Sequence, residues 1–152
     1  MIPSHLINSI PVHERPVRFS VACNFDEALL PALEGQPVYE LFGKLTSDFF
    51  GGGRPSFYLP SVGKPELERM VRSTHARGVE FNYLLNSSSM NNVEFTTQGQ
   101  RELRKLLDWL SEAKVDTITV GNLFFLRLIK QRYSHFGVRV SSSPGNFGVL
   151  VR

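Results

Sequence analysis

The chain has 152 residues, 41% of them hydrophobic and 20% charged, which suits one globular domain with a buried core and excludes a disordered protein. Its 17 basic and 14 acidic residues give a formal net charge of +3, which is too small and too dispersed to indicate nucleic-acid binding by itself. The single cysteine, Cys23, excludes an internal disulfide and any cysteine-rich metal or iron–sulfur site within this chain.

Residues 1–16 are predicted to form an irregular lead-in, because prolines stand at positions 3, 11 and 16 and no hydrophobic period is present. This segment lacks the charged and apolar regions of a secretory signal, and no apolar run of the chain approaches membrane-spanning length. We therefore expect a cytoplasmic protein with no membrane partner.

The first strand is predicted to begin at Val17, where apolar residues alternate with polar or small ones as far as Cys23. Asn24 follows the strand, and Glu27 three positions later completes a pattern typical of a helix start, here for a short helix over residues 26–33. Asn24 is therefore a candidate helix cap and, because it stands at the end of a strand, also a candidate ligand-binding residue.

The second strand begins at Val38 and runs into the most unusual stretch of the chain, GKLTSDFFGGGR. Three consecutive glycines let backbone amides approach a ligand closely, and arginine and lysine side chains can bind an anion. The stretch thus predicts a loop that binds an anion or carboxylate, and a flexible connector to the next helix is the alternative. Its charged and glycine residues are Lys44, Asp48, Gly51, Gly52, Gly53 and Arg54.

A helix is predicted from about Lys64 to Gly78, where glycine would end it as a C-terminal cap. His75 lies in its last turn, where a cation suits the helix dipole, so no catalytic role is needed to explain it. The third strand, residues 80–85, runs into a cluster of small polar residues. This cluster makes Asn86, and the later Asn91 and Asn92, candidates for the rim of a site.

The second half of the chain continues the alternation of helix and strand. Thr97 with Gln100 predicts a helix start, followed by leucines at helical spacing at positions 103, 106, 107 and 110. Strands are predicted over residues 115–120 and 137–141, with a helix over residues 123–133 between them. The tail, residues 144–152, has one apolar run and no helix pattern.

Alternating strands and helices predict a parallel α/β fold, because parallel neighbours need crossovers and helices fill them. Two architectures fit this pattern: an incomplete TIM barrel of about five strands, and a five-stranded doubly wound sheet. Both place functional residues at the carboxyl ends of the strands. The predicted divisions are a lead-in (1–16), a partial barrel domain (17–143) and a divergent tail (144–152).

Better-defined motifs are absent from the sequence. The loop after the second strand is neither a Walker A loop nor a dinucleotide fingerprint. No HExxH motif, no GxSxG motif and no metal-ligand spacing of histidines is present. The sequence therefore gives no support for nucleotide binding through these motifs, for a metalloprotease or for a serine hydrolase. A phosphate or carboxylate could still bind at the polar strand ends.

Several stretches of the sequence resemble the collagenase-like peptidase family known as U32. They are FSVACNFDEALL, PVYELFGKLTSDFFGGGRPSFYLP and the segment from HARGVEFNYLLN to FFLRLIKQRY. The likeness covers residues 18–142, and its most specific parts are the GGGR loop and the FNYLLN strand. It implies the N-terminal β/α units of a TIM barrel. Some family members are described as proteases, while others take part in hydroxylation of RNA bases or of a quinone precursor and hold an iron–sulfur cluster.

The chain departs from the family in ways that bear on activity. The likeness ends near Pro144, where the family's barrel continues, and the cysteines that hold the cluster in relatives have no counterpart. Cys23 is predicted to be part of the core rather than a reactive thiol. We therefore expect no cofactor in this chain and little or no activity from it alone.

Site residues are carried over from the family only where the motifs match, and no catalytic residue is assigned. The resulting candidate ligand-binding residues are Asn24, Lys44, Asp48, Gly51, Gly52, Gly53, Arg54 and Asn86.

Three hypotheses follow. The first is an incomplete peptidase-like enzyme that binds a peptide. The second is a non-catalytic module for a small anionic ligand, or for RNA on weaker grounds. The third is a structural remnant. An open barrel leaves strand edges unpaired, so the first and third predict self-association or a partner that closes the barrel.

Overall fold

The structure, a computed structural model, describes residues 16–50, 61–87, 90–141 and 149–151. The strands are β1 (Phe19–Ala22), β2 (Val38–Gly43), β3 (Glu80–Leu85), β4 (Thr117–Val120), β5 (Gly137–Val140) and β6 (Val149–Val151). The helices are α1 (Leu29–Ala32), α2 (Lys64–His75), α3 (Thr97–Glu112) and α4 (Leu123–Arg132), with a 3-10 helix over Val93–Phe95 before α3. None of the described helices has both the length and the apolar character that crossing a bilayer requires.

Strands β1 to β5 are parallel and lie side by side in chain order, and β6 pairs antiparallel with β5. A doubly wound sheet reverses its strand order at a switch point, whereas a TIM barrel adds its strands in sequence. The predicted parallel β/α fold is therefore confirmed, its order is that of part of a TIM barrel, and the doubly wound alternative is wrong. Strand β6 was not predicted; it lies in the apolar run of the tail.

Side chains alternate between the two faces of the sheet, as the pleat of a strand requires. One face carries large apolar residues that are fully buried against the helices, namely Leu41, Phe81, Tyr83, Ile118 and Val138. Helices α2 and α3 cover this face with the apolar stripes that the sequence predicted, including the leucines of α3. Cys23 is also fully buried, as predicted.

Two helix starts differ from the prediction. Asn24 does not cap a helix over residues 26–33: its Oδ1 accepts from the amide of Asp26, and Asp26 Oδ1 accepts from the amide of Ala28. These local bonds compete with helix formation, so the helix is reduced to the four residues of α1. Helix α3 is capped one residue earlier than predicted, because Thr96 Oγ1 accepts from the amide of Gly99 at 3.0 Å.

Gly99 allows the 3-10 helix to lie directly against the first turn of α3. A Cβ at this position would stand 1.9 Å from the carbonyl oxygen of Val93. Helix propensity alone would favour alanine by about 1 kcal/mol, but relieving a backbone clash costs about 1–3 kcal/mol. We expect Gly99→Ala to destabilise the protein by about 1–3 kcal/mol in urea unfolding. Gln100→Ala, one residue on, is the control and should stay within about 0.5 kcal/mol of the parent.

Candidate functional site at the carboxyl edge of the sheet

The carboxyl ends of the parallel strands carry polar residues at one edge of the sheet. Asn24 follows β1, Lys44 follows β2, Asn86 follows β3 and Asn122 follows β4. Because parallel strands end at the same edge, the topology brings the first three, all predicted site residues, to one side of the molecule. Asn24 is exposed there, Asn86 is half-buried and Lys44 is buried.

Lys44 and Asp48 form a buried ion pair at this edge. Lys44 Nζ lies 2.9 Å from Asp48 Oδ2, and the two side chains are 7% and 4% exposed. The hydroxyl of Tyr83 donates to the same carboxylate at 2.6 Å, and the amide of Phe50 donates to its other oxygen at 3.0 Å. The charge of Lys44 is therefore offset within the protein by Asp48, and its role in binding an anion stays a prediction.

Tyr83 stays protonated in this arrangement. Burial, followed by the charge of Asp48 and the hydrogen bond to it, raises the pKa of the Tyr83 hydroxyl well above its ordinary value of 10.0. Ionisation would bury a phenolate beside a carboxylate, so the folded protein holds the neutral, donating form. The strand β3 thereby fixes the position of a loop residue that follows β2.

Tyr83→Phe is expected to lower the free energy of unfolding by about 1.5–3 kcal/mol at neutral pH, the range for a hydrogen bond to a charged group. Since the folded pKa lies above the unfolded one, this contribution is fully present below about pH 10 and is lost as the pH rises further. The difference between parent and variant should therefore shrink above about pH 10 in urea unfolding. Burial and the hydrogen bond to Asp108 raise the pKa of Tyr133 to about 12. Tyr133 is present in both proteins, so its titration does not change the difference between them. A difference that stays constant across the alkaline range would contradict the assignment.

The loop after β2 returns close to its starting point. Thr46 and Val62 are joined by two hydrogen bonds, from the amide of Val62 to Thr46 Oγ1 at 2.7 Å and from the amide of Thr46 to the carbonyl of Val62 at 3.2 Å. The predicted binding residues Gly51, Gly52, Gly53 and Arg54 lie within this loop but outside the described residues. Their role as an anion-binding loop stays a prediction.

The sheet face opposite the helices is polar and contains an ion pair that the sequence analysis missed. Arg139 on β5 donates two hydrogen bonds to the carboxylate of Glu40 on β2, at 2.7 and 3.0 Å, and Glu40 is fully buried. Ser20 Oγ donates to the same carboxylate, and Arg139 also donates to the hydroxyl of Tyr39 at 3.0 Å. The group spans the sheet from β1 to β5. Partial burial acts to lower the pKa of Arg139, but its contact with Glu40 outweighs this and raises the pKa. The arginine therefore stays charged.

A β-bulge explains how two consecutive residues reach Arg139. Phe19 pairs with Val38 while Ser20 pairs with Glu40, so Tyr39 is an extra residue on β2. A bulge re-aims the side chains beside it, which lets Tyr39 and Glu40 both contact the arginine. A charged residue inside an otherwise apolar strand was the signal in the sequence, since glutamate is rarely buried without a partner.

Next to this ion pair in the sheet, Asn82 on β3 accepts a hydrogen bond from Thr119 Oγ1 at 2.9 Å. Its own amide nitrogen is buried and has no hydrogen-bond partner. Within the described part of this face, the carboxylate of Glu40 is satisfied by Arg139 and Ser20, whereas the amide nitrogen of Asn82 is a donor without a partner.

Asn91 and Asn92 lie at the same carboxyl edge, after β3. Both have left-handed backbone conformations, with φ of 51° and 61°, which asparagine adopts more readily than most residues. They line a cavity of about 320 Å³ together with Ser87, Glu94 and Asn122. Among the residues that the structure describes, no three histidine, cysteine, aspartate or glutamate side chains come together as a metal site would need.

The two described histidines lie at the opposite, amino-terminal edge. His135 Nε2 is 2.9 Å from Ser111 Oγ, and His75 Nε2 is 2.8 Å from Asp116 Oδ2, which also accepts from the amide of Phe81. These residues precede β3, β4 and β5 rather than follow them. In a barrel fold that edge serves stability rather than catalysis, so His75 is explained by its contact with Asp116 as well as by the helix dipole.

Comparisons with known proteins bear on the fold. No family model and no curated protein matches the sequence. Among solved structures, that of the U32 peptidase Mk0906 is similar, with a TM-score of 0.60 and 18% sequence identity over 89% of this chain. The chain spans 53% of that peptidase, about half its length. This likeness is in the fold, and it agrees with the resemblance to U32 peptidases that the sequence motifs indicated.

Proposed function

We propose that this chain is a U32 peptidase-like protein that binds a peptide at the carboxyl edge of its sheet and has little or no peptidase activity alone. The observation that carries the proposal is the arrangement of parallel strands in chain order, with Asn24, Lys44 and Asn86 at one edge. The likeness in fold to a U32 peptidase supports a peptide as the ligand class.

Low activity of the isolated chain is supported by the placement of titratable groups. Both described histidines lie at the far edge of the sheet, and Asp48 is held by Lys44 and Tyr83. The chain also spans about half of the similar peptidase, so groups in the other half of that peptidase have no counterpart among these residues. We expect the protein to act in the cytoplasm and without a cofactor of its own.

The test uses a mixture of fluorescein-labelled gelatin peptides. We expect saturable binding in fluorescence anisotropy and no new fragments in mass spectra after long incubation. Asn24→Ala and Asn86→Ala should weaken peptide binding. Gln131→Ala is the control: it also removes a side-chain amide, but near the amino-terminal edge of the sheet, and should leave peptide binding unchanged. Cleavage by the purified chain would overturn the claim of inactivity. Binding of a single-stranded RNA oligonucleotide or of inorganic phosphate without peptide binding would support the alternative, a non-catalytic anion- or RNA-binding module.

An exposed sheet edge supports association with a partner or a second copy. Among the residues that the structure describes, strand β1 has one neighbour in the sheet, whereas the outer side of β5 is covered by β6. Val17 and Phe19 beside this edge are 73% and 50% exposed. An unpaired edge with exposed apolar residues favours strand addition from another chain. Sedimentation should show oligomers that Phe19→Lys reduces, and a monomer with a cooperative melt would contradict this part of the proposal.

A further inference from the structure

The cavity at the carboxyl ends of β3 and β4 is lined by a glutamate whose carboxylate has an oxygen without a hydrogen-bond partner. Its volume is about 320 Å³, and Glu94 lines it from the 3-10 helix. Glu94 is 8% exposed, and its Oε2 is buried without a hydrogen-bond partner. Within the described part of the chain, no lysine or arginine forms an ion pair with it.

A buried carboxylate of this kind is costly to the fold. Burying a charged group is tolerated when a partner of opposite charge or several donors accompany it. The amino terminus of α4, at Asn122, supplies a partial positive charge near the cavity, but it amounts to about half an elementary charge. A cation bound in the cavity would supply the missing partner for Glu94.

The other groups around the cavity are neutral and rich in oxygen. Asn91 and Asn92, which carry amide groups, and Ser87, which carries a hydroxyl, are among its lining residues. An ammonium group has three donors, which one carboxylate and two neutral oxygens would satisfy. A divalent cation such as Ca²⁺ takes six to eight oxygen ligands and usually several carboxylates, so a single carboxylate favours the ammonium.

One large apolar side chain, Met90, lines the cavity, and two exposed apolar residues follow lining residues in the chain. Phe95 adjoins Glu94 and is 59% exposed, and its ring packs on Phe124 with centroids 5.2 Å apart. Leu123, which follows Asn122, is 74% exposed. Met90 in the lining, with exposed aromatic and aliphatic residues next in the chain to Glu94 and Asn122, suits an apolar group attached to the bound amine.

We propose that this cavity binds a protonated primary amine bearing an apolar substituent, with Glu94 as the counter-ion. As its natural source we infer the amino terminus of a peptide with an apolar first residue, and this assignment rests on the proposed function. The cavity would then fix one end of the peptide at the carboxyl edge of the sheet.

The test compares phenylalaninamide with N-acetylphenylalaninamide in a mildly acidic buffer, by calorimetry and saturation-transfer NMR. The first carries an ammonium and the second does not, while the apolar group is the same. We expect phenylalaninamide to bind the parent protein and the acetylated compound to bind at least about tenfold more weakly, as the loss of a charged hydrogen bond predicts.

Glu94→Gln should weaken phenylalaninamide binding by about tenfold or more without lowering the melting temperature, because it removes an unpartnered charge. Glu94→Asp, which keeps the charge on a shorter side chain, should retain part of the binding. Glu102→Gln, on α3, is the control and should change nothing. Equal binding of the two compounds, or full binding by Glu94→Gln, would overturn the proposal. Displacement of phenylalaninamide by calcium chloride would overturn it in favour of a metal site.

A pair of gelatin-derived peptides with free and acetylated amino termini separates this inference from the proposed function. Binding of phenylalaninamide through Glu94, with neither peptide bound, would leave the amine site standing and reject the peptide assignment. Equal binding of both peptides would keep peptide binding and reject the role of Glu94.

Discussion

Replacing Arg139 by methionine is expected to lower the free energy of unfolding by about 3–5 kcal/mol. The substitution leaves the carboxylate of Glu40 on β2 without its cation, and Glu40 is fully buried. A domain of this size is stable by about 5–15 kcal/mol, so the loss is a large fraction of the total if the parent lies at the lower end of that range. Urea unfolding followed by far-UV circular dichroism measures the difference.

Two further variants identify the cause of that loss. Glu40→Leu combined with Arg139→Met buries no charge, and we expect it to regain most of the lost stability. Arg69→Met removes an exposed arginine that lies 4.0 Å from Glu66, and it should cost at most about 1 kcal/mol. If the double variant is as unstable as Arg139→Met, the loss is due to packing rather than to the unpaired carboxylate. If Arg139→Met loses no more stability than Arg69→Met, the buried pair contributes little.

The elements of this fold could be predicted where the controlling interactions are local. Strand β3 occupies the predicted residues 80–85, because an apolar run there is bounded by a glycine stop and a polar cluster. Gly78 has the left-handed φ of 69° that a helix C-terminal cap requires. Asn24 was misassigned as a cap for the same local reason, since an asparagine before a helix and one before a turn look alike in sequence.

The contacts that organise the carboxyl edge and the polar face could not be predicted, because they join distant residues. Arg139 and Glu40 are 99 positions apart, and Tyr83 and Asp48 are 35 apart. Charge and hydrophobic period show which residues need a partner but not which partner the sheet supplies. The sequence therefore identified Lys44 and Asp48 as special, and only the fold shows that they satisfy each other.

Lys44→Met tests whether this ion pair holds the carboxyl edge together. The change leaves Asp48 buried with the Tyr83 hydroxyl and the Phe50 amide as its donors. Loss of one partner from a buried pair costs about 3–5 kcal/mol, and the two remaining donors place the expected loss at about 3 kcal/mol. Because the pair lies at the start of the loop that Thr46 and Val62 close, proteolysis within that loop should also become faster.

Lys105→Met is a closely matched control. Lys105 Nζ lies 2.9 Å from Glu102, the same distance as in the Lys44 pair, but Lys105 is 64% exposed where Lys44 is 7% exposed. Water screens the exposed pair, so its loss should cost about 0–1 kcal/mol. Comparable losses for the two lysine variants would mean that burial adds nothing to the Lys44 pair. In that case the charge of Lys44 would be available to a ligand, as the sequence first indicated, and phosphate binding by the parent but not by Lys44→Met would establish it.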